Sequence, residues 1–249
     1  MLQQILRLYN YFLSSDKEFA RRLTNLLGFT PVNLDIFRIA FSHRSNGAND
    51  KEYALQNNER LEYLGDAVLG TIVAEYLFKK YPNANEGFLT KMRSKIVKRK
   101  ALNTIGDKMG LDVLLSEHSN TRLSRSMYGN AVEALVGAVY LDLGYEGTKQ
   151  FVIREILQKF VNVEELEHYD DNYKSQLLEW CQKHGKSVSY KLIARYKYEK
   201  RDRFKVAVLV DGKKLATADD FNKRSAEQIA SGKALEKLGI LTPREQALL

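Results

Sequence analysis

The spacing of apolar residues differs between the two parts of this chain, and that difference restricts the folds open to it. From Asp16 to about Phe160 apolar side chains recur at helical spacing, whereas over 190–198 and 204–210 they alternate with the residues between them, as in strands. Proline and glycine divide the first part into segments of ordinary helix length, at Pro31, Pro82, Gly47, Gly87, Gly110 and Gly144. The sequence therefore predicts an all-α domain followed by a domain that contains strands.

The second part has the predicted order α-β-β-β-α. Its predicted elements are a helix over 173–184, strands over 190–198, 204–210 and 213–217, and a helix from about Asn222 to Gly239. Residues 163–171 are acidic and lack a sustained apolar face, so we expect them to form a linker. The predicted fold class is multidomain, with an all-α domain over 1–162, an α+β domain over 172–241 and a tail over 242–249.

Composition favours a protein of the cytoplasm. With 249 residues, of which 44% are hydrophobic, the chain can form one or two cored domains, and no stretch approaches the ~18 consecutive apolar residues of a membrane span. The N-terminus lacks the continuous hydrophobic segment of a secretory leader. The single cysteine, Cys181, cannot form an internal disulfide, which fits a reducing compartment.

The positive charge is concentrated in the last third of the chain. Residues 1–170 contain 22 Lys and Arg against 21 Asp and Glu, whereas residues 171–249 contain 17 against 10. This asymmetry favours a basic nucleic-acid-binding module attached to a nearly neutral domain, although a charge bias can also serve solubility alone.

Three carboxylates lie on one face of a predicted helix. Glu59, Glu62 and Asp66 are spaced i, i+3 and i+7, and the opposite face is apolar, so the acids would be held against a core. Gly65 lies within the same helix, where glycine costs about 1 kcal/mol relative to alanine, so we expect another element to approach closely beside Asp66.

A second polar pair interrupts an apolar run further along the chain. Asn130 and Glu133 are i, i+3, and Glu133 is almost alone among apolar neighbours. Burying an unpaired carboxylate is unfavourable, so we expect a cation shared with Glu62 and Asp66. Oxygen ligands of this kind suit Mg²⁺.

The acid-bearing segment belongs to an ordered set of motifs. Residues 59–69 read Glu-Arg-Leu-Glu-Tyr-Leu-Gly-Asp-Ala-Val-Leu, with further motifs at 41–45, 85–93 and 132–137. Together they resemble the motifs of ribonuclease III, the family of double-stranded-RNA endonucleases. The resemblance continues to about Gly239 and covers nearly the whole chain.

The resemblance implies roles for the acidic residues. The family's catalytic Mg²⁺, for which Mn²⁺ could substitute, is held by four ligands that match Glu62, Asp66, Asn130 and Glu133. Glu59 and Glu86 match two further acids near the cleaved strand. We expect no small-molecule cofactor and no membrane partner.

The resemblance also implies a homodimer. Tyr63 matches an aromatic side chain that inserts into the partner subunit, the alternative being an ordinary core tyrosine. One site per subunit would cut one strand each, leaving 5′-phosphate and 3′-hydroxyl ends with short 3′ overhangs. The family likeness suggests roles in rRNA and mRNA processing.

The C-terminal part resembles the double-stranded-RNA-binding domain, which recognises A-form shape over ~16 bp. The segment 223–228, Lys-Arg-Ser-Ala-Glu-Gln, matches its basic motif at the start of the last helix. By resemblance, the residues that contact the duplex are Lys174, Ser175, Glu179, Lys223 and Arg224. The usual Gly-Pro-x-His hairpin is replaced by residues 198–203, from which we expect Lys200 and Arg201 to reach the RNA backbone.

Asn130 departs from the family pattern, in which aspartate is usual. An amide oxygen can ligate Mg²⁺ but brings no charge, so we expect weaker metal binding with activity retained. Asn130 is also the one argument for a first alternative, a double-stranded-RNA-binding protein that does not cleave. A second alternative, a di-iron helical protein, needs a Glu-x-x-His pair on each of two core helices, but the one match is Glu165–His168 in the predicted linker.

Overall fold

The computed structural model of the chain describes residues 2–42, 58–118, 124–168 and 172–241. It divides into two compact units, with the boundary between Leu166 and Glu167. Several sequence predictions lie outside the described residues, namely those on His43, Arg44, Ser45, Gly47, residues 169–171 and the tail over 242–249. Among the helices that are described, none is long and apolar enough to cross a membrane.

The first unit is helical throughout its described part, which confirms the prediction. Its principal helices are α1 (Leu2–Phe12), α2 (Lys17–Leu27), α3 (Leu34–Phe41), α4 (Glu59–Lys80), α5 (Glu86–Val97), α6 (Arg99–Lys108), α7 (Leu111–Glu117) and α8 (Arg125–Phe151). They are followed by a π-helical segment (Val152–Leu157), α9 (Gln158–Phe160) and α10 (Val163–His168). Gly110, with φ of 71°, separates α6 from α7 as predicted, whereas Gly87 lies inside α5 and ends no helix.

Helices α4 and α8 form the centre of the first unit. Every residue of α8 from Ala131 to Val139 is buried except Glu133, which is partly buried. This pattern follows from the apolar run, because a helix that is apolar on nearly all sides is stable only when other elements surround it. Further along α8, the Asp142 carboxylate accepts hydrogen bonds from the backbone N–H groups of Val32 and Asn33, which anchors the loop before α3.

Gly144 interrupts α8 near its end. Its backbone has φ of 70° and ψ of −173°, a conformation essentially restricted to glycine. The chain therefore changes direction here before it continues into the π-helical segment. The predicted break at residue 144 is confirmed.

The segment predicted as a linker differs in its first part. Residues 163–168 form α10, Val163 is buried, and Leu166 packs against the core of the first unit. The Leu166 carbonyl oxygen accepts a hydrogen bond of 2.6 Å from Nζ of Lys95, itself a buried residue. Two apolar side chains are too few to reveal such an anchor by periodicity, which explains the difference.

The second unit has the predicted α-β-β-β-α order. Its elements are α11 (Tyr173–Lys183), β1 (Val188–Tyr198), β2 (Arg201–Val210), β3 (Lys213–Asp220) and α12 (Lys223–Lys237). The strands form one antiparallel sheet in the order β1-β2-β3. The side chain of Asn222 caps α12 by accepting a hydrogen bond of 2.8 Å from the backbone of Ser225, so the predicted helix start is confirmed.

The predicted alternation along β1 fails in its second half. Leu192 pairs with Val206 and Ala194 with Lys205, so Ile193 is an extra residue in the strand. Such a bulge moves all later side chains to the opposite face of the sheet. The apolar side chains of β1 alternate continuously in the sequence, but those before and after the bulge therefore lie on opposite faces of the sheet.

Strands β1 and β2 are joined by a two-residue turn. Glu199 and Lys200 have φ of 48° and 65°. Positive φ at both central residues is the geometry of a type I′ hairpin, which usually contains Asn-Gly. The predicted loop over 198–203 is therefore mostly strand.

Candidate active site and RNA-binding surface

Helices α4 and α8 bring the predicted acids to one cleft. Glu59, Glu62 and Asp66 project from α4, and Asn130 and Glu133 from the facing side of α8. The cleft has a volume of about 700 Å³, and its lining consists of Asn58, Glu59, Glu62, Tyr63, Asp66, Arg99, Asn130 and Glu133. Two segments more than sixty residues apart in the sequence thus contribute to a single site.

Two glycines set how closely these helices approach. A Cβ atom on Gly65 would lie 1.7 Å from the carbonyl oxygen of Glu133, and one on Gly137 would lie 2.3 Å from that of Leu61. Real atoms cannot come so close, so the backbones of α4 and α8 are in direct contact at these positions. The predicted close approach beside Asp66 is confirmed, and it involves the backbone of Glu133 itself.

The environment of Glu133 disfavours its ionised form. Burial raises the pKa of Glu133 to about 7, with further increases from Asp66 and then Glu62 and an opposing effect from Arg99. Of the described residues that line the cleft, Arg99 is the one cation, against four carboxylates. The cleft therefore has an excess of negative charge that a bound cation would offset.

Helix α6 places Arg99 beside the acids. Asn103, one turn after Arg99, accepts a hydrogen bond of 2.8 Å from the backbone N–H of Gly129, next to Asn130. A Cβ on Gly129 would lie 2.7 Å from the same Asn103 oxygen, so the two helices are in close contact here. Asn103 therefore joins α6 to α8 next to Asn130, a contact that sequence reasoning missed because an isolated asparagine on a helix gives no pattern.

The donor atoms of the cleft suit a hard divalent cation. The predicted ligands, the carboxylates of Glu62, Asp66 and Glu133 and the amide of Asn130, offer oxygen atoms, as Mg²⁺ and Mn²⁺ prefer. Within the described residues, however, no three His, Cys, Asp or Glu side chains are grouped closely enough to hold an ion as they stand. The chemistry of the donor set therefore fits, and ligation by three acids at once requires side-chain rotation toward a common point.

Two predicted residues have different surroundings from the rest. Glu86 is exposed at the start of α5, where it accepts a hydrogen bond of 3.0 Å from Thr90, and it does not belong to the residues that line the cleft. Tyr63 lies at the cleft with 82% of its surface exposed. The alternative of a core tyrosine is therefore wrong.

In the second unit, two predicted RNA-contacting lysines share one buried partner. Lys174 of α11 and Lys223 of α12 approach the Glu227 carboxylate at 2.7 and 3.9 Å. The side-chain oxygen of Gln228 accepts a hydrogen bond of 2.9 Å from the backbone N–H of Lys174. Glu227 and Gln228 thus hold the starts of the two helices together, a role that the sequence motif did not reveal.

The remaining predicted RNA contacts are dispersed over the same unit. Ser175 is partly buried in the first turn of α11, and Glu179 is exposed one turn later. Arg224 is exposed in the first turn of α12. Lys200 and Arg201 are exposed at the β1–β2 turn.

Comparison with known proteins identifies the family. Residues 33–160 match the family model described as Ribonuclease-III-like, and residues 173–238 match the double-stranded RNA binding motif. Ribonuclease 3 of Azobacteroides pseudotrichonymphae is 36% identical over 239 residues, which cover 96% of this chain and 92% of that protein. Ribonuclease 3 of Flavobacterium psychrophilum is 41% identical over 219 residues, which cover 88% of this chain and 89% of that protein.

A solved structure of the nuclease domain of ribonuclease III from Campylobacter jejuni matches with a TM-score of 0.48 and 33% identity, over 56% of this chain and 96% of that domain. The two family-model matches, one to the helical unit and one to the α+β unit, define a nuclease with an attached RNA-binding domain. The chain belongs to the ribonuclease III family, the endonucleases of double-stranded RNA. It is an endoribonuclease.

Proposed function

We propose that the protein hydrolyses phosphodiester bonds of double-stranded RNA with Mg²⁺, or with Mn²⁺ in its place. The observation that carries this proposal is the single cleft that gathers Glu62, Asp66, Asn130 and Glu133 from two helices in backbone contact. A cleft with so many acids repels RNA phosphate by itself, so RNA binding there calls for a cation.

Glu62, Asp66, Asn130 and Glu133 would hold the ion. When bound, a divalent ion lowers the pKa of water and offsets charge on the phosphate and the leaving oxygen. Arg99 is exposed at the edge of the same cleft, where its guanidinium can bind a phosphate oxygen of the strand to be cut. We assign Glu59 and Glu86 to substrate positioning near the cleaved strand, with Glu86 acting from outside this cleft.

The second unit would bind the duplex by its shape. Lys174 and Lys223 have their charged ends oriented by Glu227, and the start of α12 adds Arg224 and backbone N–H groups, which together favour phosphate. Ser175, Glu179, Lys200 and Arg201 complete the proposed contact set. Such contacts hold RNA without selecting a base sequence.

The proposed active form is a homodimer in the cytoplasm that takes part in rRNA and mRNA processing. Exposed Tyr63 would contact the partner subunit. Two sites, one per subunit, would each cut one strand and leave 5′-phosphate and 3′-hydroxyl ends with short 3′ overhangs. The thiol of Cys181 is buried and its pKa is raised by burial, which is compatible with a protein that needs no disulfide.

The test is cleavage of a long, fully paired RNA by the purified chain with Mg²⁺, with Mn²⁺ and with a chelator. We expect short products with either ion and none with the chelator, and the products should serve as substrates for an exonuclease that requires a 5′-phosphate. Glu133→Ala should abolish cleavage while duplex binding, measured by fluorescence anisotropy, remains.

The matched control is Glu146→Ala, which removes an exposed carboxylate from the same helix outside the cleft. It should cleave as the unaltered chain does. Binding of the duplex without cleavage by the unaltered chain in either ion would favour the alternative, a protein that binds double-stranded RNA and does not cut it.

A further inference from the structure

The face of the sheet that is turned away from the helices bears aromatic and basic side chains. Helices α11 and α12 cover the other face, where Val208, Ala216 and Ala218 are buried. On the uncovered face Tyr196 and Tyr198 are 40% and 49% exposed. We call this surface the outer patch, and it consists of Tyr196, Tyr198, Arg201, Arg203, Lys205 and Phe221.

The bulge at Ile193 creates the outer patch. Before the bulge Tyr190 faces the helices, because its hydroxyl is 2.6 Å from that of Ser231 in α12. After it, Tyr196 pairs with Arg203 and Tyr198 with Arg201, on the opposite face. Without the extra residue, both tyrosines would lie on the side of Tyr190.

The rings and guanidinium groups of the outer patch are held in place by one another. Arg201 lies 4.3 Å from the centroid of the Phe221 ring, and Arg203 lies 5.1 Å from that ring and 5.4 Å from that of Tyr198. The Tyr196 hydroxyl donates a 2.6 Å hydrogen bond to Asp219, whose carboxylate is 3.1 Å from Nε of Arg203. The flat groups are therefore ordered before any ligand binds, which reduces the entropy lost on stacking.

Charge and shape together point to one occupant. Arg201, Arg203 and Lys205 outnumber Asp219, so the patch attracts a polyanion and repels a second copy of itself. Base pairs inside a duplex are already stacked and cannot offer their faces, whereas unpaired nucleotides offer both flat bases and phosphates. We propose that the outer patch binds single-stranded RNA, by stacking unpaired nucleotides on Tyr196 and Tyr198 while the basic side chains contact the backbone.

The test is binding of the full chain, with chelator present, to a fluorescent ten-nucleotide oligouridine and to a blunt RNA duplex of twenty base pairs. Tyr196→Ala with Tyr198→Ala should weaken oligouridine binding about tenfold or more and change duplex affinity less than twofold. Replacing both tyrosines by phenylalanine retains the rings and should restore oligouridine binding. Arg201 is left unchanged because it also belongs to the proposed duplex contacts.

The control is Tyr9→Ala, which removes a tyrosine of the same 49% exposure from α1. It should bind both RNAs as the unaltered chain does. Three results would each overturn the proposal. The unaltered chain could fail to bind oligouridine, the alanine variant could lose duplex binding to the same extent as oligouridine binding, or the alanine variant could bind oligouridine as tightly as the unaltered chain. A change in molecular mass on sedimentation of the alanine variant would instead assign the patch to a protein contact.

Discussion

At the scale of single residues, the geometry of the site depends on two glycines, which have no side chain. Gly65 and Gly137 allow the backbones of α4 and α8 to touch, and Gly65, which precedes Asp66 in the chain, meets the backbone of Glu133. The acids do the proposed chemistry, but the helices that bear them can approach this closely only because glycine has no Cβ atom.

Gly65→Ala is therefore expected to force α4 and α8 apart. The added methyl group meets backbone, which cannot rotate away, so the free energy of unfolding should fall by about 2 kcal/mol or more despite the higher helix propensity of alanine. Cleavage should fall with it, because the acids separate. Circular dichroism at 222 nm in a denaturant titration measures the first effect.

Gly70→Ala on the same helix is the matched control, since a Cβ there meets nothing within 4 Å. It should raise the free energy of unfolding by up to about 1 kcal/mol. Equal stability of the two alanine variants would contradict the close contact at Gly65.

Asn130→Asp is expected to strengthen metal binding. The substitution adds one negative charge to the proposed ligand set, so less Mg²⁺ should be needed for half-maximal cleavage of duplex RNA. Calorimetric titration with Mn²⁺ in the absence of RNA provides a readout independent of activity, and it should give a lower dissociation constant for the variant. The control is Asn103→Asp, at a residue outside the cleft lining, which tests whether an added charge near the cleft is enough to strengthen metal binding. Unchanged Mn²⁺ affinity in Asn130→Asp would contradict a ligand role for Asn130.

At the scale of elements, a polar cluster joins α4 to α8 away from the cleft. Glu75 of α4 accepts hydrogen bonds from Tyr145 and Lys149 of α8, at 2.7 and 2.5 Å, and from Lys79 at 2.5 Å. These hydrogen bonds lower the pKa of Glu75 from 4.5 to about 2, and the bond from Lys149 has the largest effect. The cluster stabilises the same helix pair that the glycines bring together.

The stability that Glu75 contributes is expected to depend on pH. Because its pKa is lower in the folded chain, the contribution is complete above about pH 4.5 and disappears as the pH falls toward about 2. Glu75→Gln should therefore be less stable than the unaltered chain at neutral pH, and the difference should shrink across that window. Urea titrations at several pH values measure it.

Glu146→Gln serves as the control, because Glu146 is exposed and lies 4.0 Å from Lys149. Such surface pairs contribute little, so this variant should follow the unaltered chain at every pH. A stability difference for Glu75→Gln that does not change with pH would contradict the assigned bonds.

At the scale of the whole molecule, charge and chemistry are divided between the two units. The helical unit is nearly neutral and contains the acid cleft, while the last third has most of the excess of Lys and Arg. Attraction of RNA by a basic unit compensates for the poor electrostatic match between RNA and an acidic site.

Tyr63→Ala is expected to weaken the proposed homodimer. The side chain is 82% exposed, so its removal should leave the fold unchanged while it removes an apolar contact with the partner subunit. Sedimentation equilibrium should show a higher monomer fraction at equal concentration. The control is Val113→Ala, at a residue 51% exposed on α7, which should not change the measured mass. Identical masses for Tyr63→Ala and the unaltered chain would show that Tyr63 does not belong to the interface.

Much of this protein could be predicted from local patterns. Helical spacing, the order α-β-β-β-α, the cap at Asn222 and the glycine breaks at residues 110 and 144 depend on interactions between residues close in sequence. The acid triplet on α4 is visible for the same reason, because i, i+3 and i+7 always share a helix face.

Other features were decided by tertiary structure alone. The bulge at Ile193 follows from pairing with β2, the anchoring of α10 follows from Lys95, and the contact of Gly65 with the Glu133 backbone follows from packing of helices distant in sequence. Each depends on partners that a linear pattern does not identify. The sequence by itself thus determined which elements form and which residues could do chemistry. Packing decided the cleft between α4 and α8 and the face of the sheet on which Tyr196 lies, because segments remote in sequence come into contact only when the core forms.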